Sequence, residues 1–249
     1  MDGMQATTKS RHHKARPRGV FLFEVKIMRK TIIVAALVLI SAIAMSGQDA
    51  KLREVKGQTI KSKDIPPVEL TFGKDFKYVG GHKFVLYNVA NAEQHFFVDA
   101  DKDGRVRRMY WVQFEGYLPT NDKTYDYKGT KSVNIGGIDF IADTYARNIK
   151  ANPGRPDGDA AMGRAFLESK GYRLASDEVI SQRLLYFIGE KRRDELMIIY
   201  VEDMSGLGLT SADVAKGGRA EAKFGEIADA LLARTQRDLK IKLTSTGKN

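Results

Sequence analysis

The chain has 249 residues, 41 Lys+Arg against 31 Asp+Glu for a net charge of +10, 43% hydrophobic residues and no cysteine. Such a chain can bury a sizeable core, which excludes wholesale disorder. The lack of Cys excludes a disulfide scaffold, a Cys-based zinc site, a thiol nucleophile and a lipid-modified cysteine anchor.

Residues 1–27 are polar and basic, with Arg11, His12, His13, Lys14, Arg16 and Arg18 crowded together. Met28-Arg29-Lys30 then leads into an apolar run from Ile32 to Met45, broken only by Ser41. A short basic segment, an apolar run and small residues behind it predict a secretory signal over 28–46. The run is shorter than the roughly 20 residues that cross a bilayer as a helix. Ala44 and Ser46 satisfy the cleavage rule and make Gly47 the first mature residue; Ala42 and Ala44 offer a second site before Met45. Residues 1–27 read as a spurious or disordered leader, with translation starting at Met28. The expected destination is the periplasm or the medium. The alternative is a membrane anchor through residues 32–45.

This segment also carries much of the charge. Residues 1–47 hold eight bases and two acids, so the remainder keeps 33 bases against 29 acids, a net +4. The pull of +10 toward a nucleic-acid partner therefore fades.

Residues 47–66 read as a linker, basic and poor in apolar residues, closed by Pro66-Pro67. Alternation then predicts strands at 68–72, 76–79 and 82–89, with Gly80-Gly81 breaking the chain between the last two. Residues 93–99 and 105–115 flank Asp101-Lys102-Asp103-Gly104, a strong hairpin signal. In the second arm Val106, Tyr110, Val112 and Phe114 share one face, and Arg107, Met109, Trp111, Gln113 and Glu115 the other. A loop is expected over 118–131. A strand follows over 132–145, with Gly136-Gly137 marking a bulge or a close backbone approach. After the breaker Pro153-Gly154-Arg155-Pro156, a helix capped at Asp157 or Asp159 runs to Lys170, with Ala161, Met162, Ala165 and Phe166 as its stripe. Strands at 178–189 and 195–203 follow, the second apolar enough to sit centrally. Thr210 or Ser211 caps a helical turn. A helix over 219–237 presents Phe224, Ile227, Ala228, Leu231 and Leu232, and 239–243 can form a last strand. Residues 244–249 are a polar tail. The sum is a single α+β domain over 67–243: a mainly antiparallel sheet of about six to eight strands packed by two main helices.

Chemistry is harder to find. Asp99, Asp101 and Asp103, followed by Gly104, match the first half of a calcium loop. However, Tyr110 stands where the bidentate acid belongs, and the flanks read as strands. A plain hairpin turn is the stronger reading, and no metal is expected. Beyond the N-terminal segment only His82 and His95 remain. His95, among Phe96, Phe97 and acids, is the better catalytic candidate, and no G-x-S-x-G elbow accompanies it. The glycine strings at 128–132 and 205–208 lack the spacing of a phosphate or dinucleotide loop, so no cofactor is expected.

The face Arg107, Met109, Trp111, Gln113 is the best interaction surface, carrying the only Trp. The competing reading is that the second helix covers it and makes Trp111 core. The leading expectation is an exported, non-catalytic envelope protein that binds a partner or an apolar ligand. The alternatives are a secreted hydrolase using His95 or His82 with a nearby carboxylate, and a binder of anionic polymer or lipid surface through the basic linker and Lys191-Arg192-Arg193.

Overall fold

The long strands predicted by alternation pair into one antiparallel sheet. The computed structural model describes residues 52–127 and 131–244. The expected signal, leader and cleavage site at Ser46-Gly47 fall outside the described residues. Among those described, no helix is long and apolar enough to cross a membrane.

Twelve strands form two sheets. The large sheet contains β4 (Lys77–Leu86), β5 (Ala90–Ala100), β6 (Arg105–Tyr117), β7 (Lys131–Ile135), β8 (Ile138–Asn148), β10 (Glu178–Ile188) and β11 (Asp194–Asp203). Their order is β4-β5-β6-β11-β10-β8-β7, every pairing antiparallel. A two-residue strand, β9 (Arg173–Leu174), runs parallel to the start of β6. The small sheet contains β1 (Arg53–Lys56), β2 (Thr59–Ser62), β3 (Val68–Phe72) and β12 (Leu239–Leu243), in the order β1-β2-β3-β12.

Among the described residues three α-helices complete the fold: α1 (Asp159–Ser169), the single turn α2 (Ser211–Val214) and α3 (Phe224–Asp238). One face of the large sheet meets α3 and the small sheet. Phe97, Tyr110, Phe140, Leu184, Ile198 and Tyr200 pack there against Leu70, Phe72, Leu231 and Ile241. The Tyr110 hydroxyl donates to the Thr235 carbonyl at 2.9 Å and ties helix to sheet. The other face meets α1, whose Leu167 packs among Phe96, Met109, Trp111 and Ile199. Strand β11 is buried from Glu195 to Val201, as its unbroken apolar run requires.

Three expectations are corrected. The segment 47–66 is not simply a linker, because β1 and β2 form a hairpin within it around Gly57 (φ +59). Half of its strand residues are charged and only Ile60 and Ser62 are fully buried, so hydrophobicity gave no cue. This hairpin, together with β9 and the division of the 132–145 segment into β7 and β8, raises the strand number above the expected six to eight. Second, Gly136-Gly137 is the turn of the β7–β8 hairpin and not a bulge within one strand. Both glycines have positive φ, +60 and +86, as a two-residue primed turn demands. The expected close approach is real, since a Cβ on Gly136 would run into the Ile241 carbonyl oxygen. Third, Gly80-Gly81 does not interrupt β4; it sits at a bulge, and a Cβ on Gly81 would fall 2.6 Å from the Gln94 carbonyl oxygen.

Candidate functional site: the face beneath helix α1

The residues expected as an exposed face are covered. Met109, Trp111 and Gln113 are 6%, 5% and 0% exposed, and α1, the first of the main helices, does the covering. Arg107 does not belong with them. The β5–β6 register jumps from Asp99↔Arg108 to Ala100↔Val106, so Arg107 is an extra residue. The jump reverses the alternation: Val106 joins the Trp111 side, and Arg107 points outward near Asp99 at 3.9 Å. The strand alternation read from sequence could not anticipate the bulge.

Helix α1 forms where expected, with Gly171 (φ +81) beyond its end, but it turns a different stripe inward. Ala160, Gly163, Arg164 and Leu167 face the sheet; of the expected stripe Phe166 packs on Phe96 and His82, while Ala165 is exposed. Gly163 permits a close approach, since a Cβ there would lie 3.0 Å from the Phe96 ring. Between α1 and the sheet lies a cleft walled by Phe96, Met109, Trp111, Leu167, Leu174 and Ile199, with Tyr145, Arg147, Arg164 and Ser181 among its polar lining. The space between its atoms is about 420 Å³ including the open mouth, but only about 30 Å³ admits the centre of a water molecule. The smaller figure describes the usable room, so the cleft is a narrow slot.

Two buried donors on its lining have no acceptor among the described residues, Trp111 Nε1 and Arg147 Nε. Arg164 reaches the Pro153 carbonyl with one nitrogen. Burial, followed by the charge of Arg147, pulls its guanidinium below the ordinary arginine range.

The rest of this sheet face is polar and closely bonded. His82 Nε2 lies 2.8 Å from Gln94 Oε1, and Gln94 Nε2 donates to Gln113 Oε1 at 2.8 Å and to the Asp159 carbonyl at 3.0 Å. Gln113 Nε2 then donates to Glu115 Oε2 at 2.7 Å, and the Tyr125 hydroxyl to Glu115 Oε1 at 2.7 Å. This chain crosses three strands and ends on the segment after β6. Directly opposite Glu115 in the β6–β11 register stands Glu195, 3% exposed, whose Oε2 has no partner among the described residues. Desolvation first, and then the charge of Glu115, push its carboxyl up to about 8. Above the pair, Tyr117, Tyr125, Tyr127 and Phe187 stack with ring centroids 4.4 to 6.3 Å apart.

His95 lies toward the opposite face. Its Nδ1 meets the Tyr78 hydroxyl at 2.9 Å, and its Nε2 meets Glu93 Oε1 at 2.9 Å. Arg53 holds the other Glu93 oxygen at 2.7 Å and lies 4.0 Å over the Phe114 ring. Burial raises the Tyr78 phenol to about 12, the reverse of what an activated phenolate needs. His82 stacks on Phe166 at 4.6 Å and is driven below its ordinary range by desolvation, which favours the neutral ring. The two histidines therefore belong to separate networks.

The three aspartates of the hairpin serve different partners. Asp99 accepts two hydrogen bonds from Arg108, at 2.8 and 2.6 Å. Asp101 accepts the backbone N–H groups of Asp103 and Arg105, and Asp103 meets Lys102. This is the local bonding of a tight turn. Among the described residues no group of His and acidic side chains is arranged to hold a metal. The basic string is also partly consumed: Arg193 donates to the Leu118 and Lys123 carbonyls, and Arg192 lies 4.4 Å over Phe187 and 3.8 Å from Asp126. No family model, no curated protein and no solved structure matches the chain.

Proposed function

We propose that this is an exported, non-catalytic envelope protein that holds an apolar ligand between α1 and the large sheet. One observation carries the reading: an apolar slot is walled by Met109 and by Trp111, the only tryptophan of the chain, two of the four residues the sequence offers as an interaction surface. The export part rests on Met28-Arg29-Lys30 and the apolar run behind it. A narrow, nearly filled slot favours a linear chain over a ring system. The hydrolase alternative has one geometric argument, the Tyr78–His95–Glu93 chain. Against it stand a phenol held protonated and a histidine whose two nitrogens are both engaged.

The test uses Trp111 as its own reporter. Titrating the purified full chain with 1-dodecanol is expected to shift or quench the Trp111 emission saturably. Filling the slot with Ala160→Phe is expected to abolish the change while the far-UV spectrum is retained. Emission indifferent to dodecanol in the wild type would remove the reading. Cell fractionation tests the export half: the chain found with cytoplasmic markers would end it.

A further inference from the structure

Four of the partly buried arginines elsewhere among the described residues are matched by acids, while Arg193 is held by two backbone carbonyls. Arg53 faces Glu93, Arg108 faces Asp99, Arg183 faces Asp143 and Arg234 faces Glu202, each at 2.6 to 2.9 Å. At the slot the pattern breaks. Arg147 on β8 makes no hydrogen bond or ion pair with any described residue, and its Nε is buried without a partner. Its guanidinium only overlies the Tyr145 ring, at 5.8 Å. Arg164 on α1 holds one backbone carbonyl and has only Glu168, four residues on along its own helix, as a nearby acid. Two guanidiniums therefore line one slot, and the charge of Arg147 disfavours that of Arg164.

The slot adds a third donor. A buried indole N–H normally finds an acceptor, and Trp111 Nε1 has none. Two buried donors without acceptors, Trp111 Nε1 and Arg147 Nε, beside a second guanidinium that holds only one carbonyl, are set around apolar walls and call for a ligand that combines a hydrocarbon body with a negative, oxygen-rich end. A carboxylate between the guanidiniums would turn their repulsion into two charge-assisted interactions.

We propose that the slot binds a single-chain fatty acid, its hydrocarbon along Phe96, Met109, Leu167 and Ile199 and its carboxylate at Arg147 and Arg164. The proposal rests on the apolar-ligand reading above and adds the charge of the head group. A linear chain suits the narrow width. Room can come from α1, which is bounded by glycines of positive φ at Gly154 (+77) and Gly171 (+81). Both can take up backbone rotation more freely than other residues.

The experiment titrates the full chain with dodecanoate, 1-dodecanol, dodecyltrimethylammonium and dodecyl phosphate below their micelle concentrations, reading Trp111 emission. The proposal expects dodecanoate to bind at least tenfold more tightly than dodecanol, and the ammonium compound to bind more weakly than either. In Arg147→Gln/Arg164→Gln, dodecanoate is expected to fall to the affinity of dodecanol, with dodecanol unchanged. Removing two like charges is not expected to lower the melting temperature, so loss of fold would not mimic loss of binding. Equal affinities for dodecanoate and dodecanol in the wild type would overturn the carboxylate site while leaving the apolar-ligand reading intact. A preference for dodecyl phosphate would overturn it in favour of a phosphate head. No response to any chain would sink both readings together.

Discussion

Replacing Glu195 by glutamine is expected to make the protein more stable at neutral pH, by an amount that grows with pH. The carboxyl stands opposite Glu115 on the same sheet face, and Oε2 has no partner among the described residues. Its folded pKa is raised to about 8 from an ordinary 4.5. Between those values the native chain holds a proton that the unfolded chain has released. Stability from this group is therefore greatest below pH 4.5 and declines as pH rises toward 8, by about 1.4 kcal/mol per pH unit. The ceiling is about 5 kcal/mol over the whole window and about 3 kcal/mol at pH 7. Relaxation of the surroundings reduces both, so about 2 kcal/mol at pH 7 is the expected gain. Glutamine is nearly isosteric and never ionises, so Glu195→Gln removes the dependence from both states. Urea unfolding followed by Trp111 emission at pH 5, 6, 7 and 8 measures it. Wild type and variant should nearly coincide at pH 5 and separate steadily above it. Parallel curves across the series would show that Glu195 is not protonated in the folded protein.

Three further outcomes follow from the same geometry. Tyr125→Phe removes a 2.7 Å bond to Glu115 and should destabilise by about 2 kcal/mol in urea unfolding, the usual loss for a hydrogen bond to a charged acceptor. Trp111 should emit to the blue and resist acrylamide, since α1 covers it; a red, readily quenched emission would mean that α1 does not sit on the sheet. Gly137→Ala should lose only the cost of a left-handed residue, about 1 to 2 kcal/mol, because nothing lies near its Cβ position. Gly136→Ala should lose clearly more, because the Ile241 carbonyl must also move; thermal melts that rank the two equally would contradict the close approach.

The regular parts of the fold were legible because their periodicity is local. Val68–Phe72 alternates cleanly and is a strand with those bounds, and Leu239–Leu243 likewise. The stripe Phe224, Ile227, Ala228, Leu231 and Leu232 turns inward as its spacing demands, with Thr235 added to it. The capping box at Thr210 and Asp213 starts a helical turn where a cap was expected. What failed was set by pairing. The bulge at Arg107 is invisible in β6 alone, because it exists only relative to β5. The hairpin of β1 and β2 is held by a partner strand, β3, rather than by its own apolar content.

The candidate site was hidden for the same reason, and its position explains why. Glu115 and Glu195 are eighty positions apart and become neighbours only through the β6–β11 register. Arg147 and Arg164 come from a strand and a helix, and the helix comes close to the sheet at Phe96 over Gly163, a residue with no side chain to signal packing. A stripe search over α1 selects Ala165 and Phe166 and passes over Arg164, because it assumes that the inward face is apolar. That assumption holds for α3, which only closes a core. It fails for α1, where one inward position is an arginine held by one backbone carbonyl, with Glu168 of its own helix as its nearby acid. A helix that merely sealed the sheet would gain by carrying leucine at position 164, since an unpaired, partly buried charge is costly. Arg164→Leu should accordingly raise the melting temperature and, if the slot is built for a carboxylate, weaken dodecanoate at the same time. A variant that gains stability with dodecanoate affinity unchanged would leave Arg164 without a role in binding.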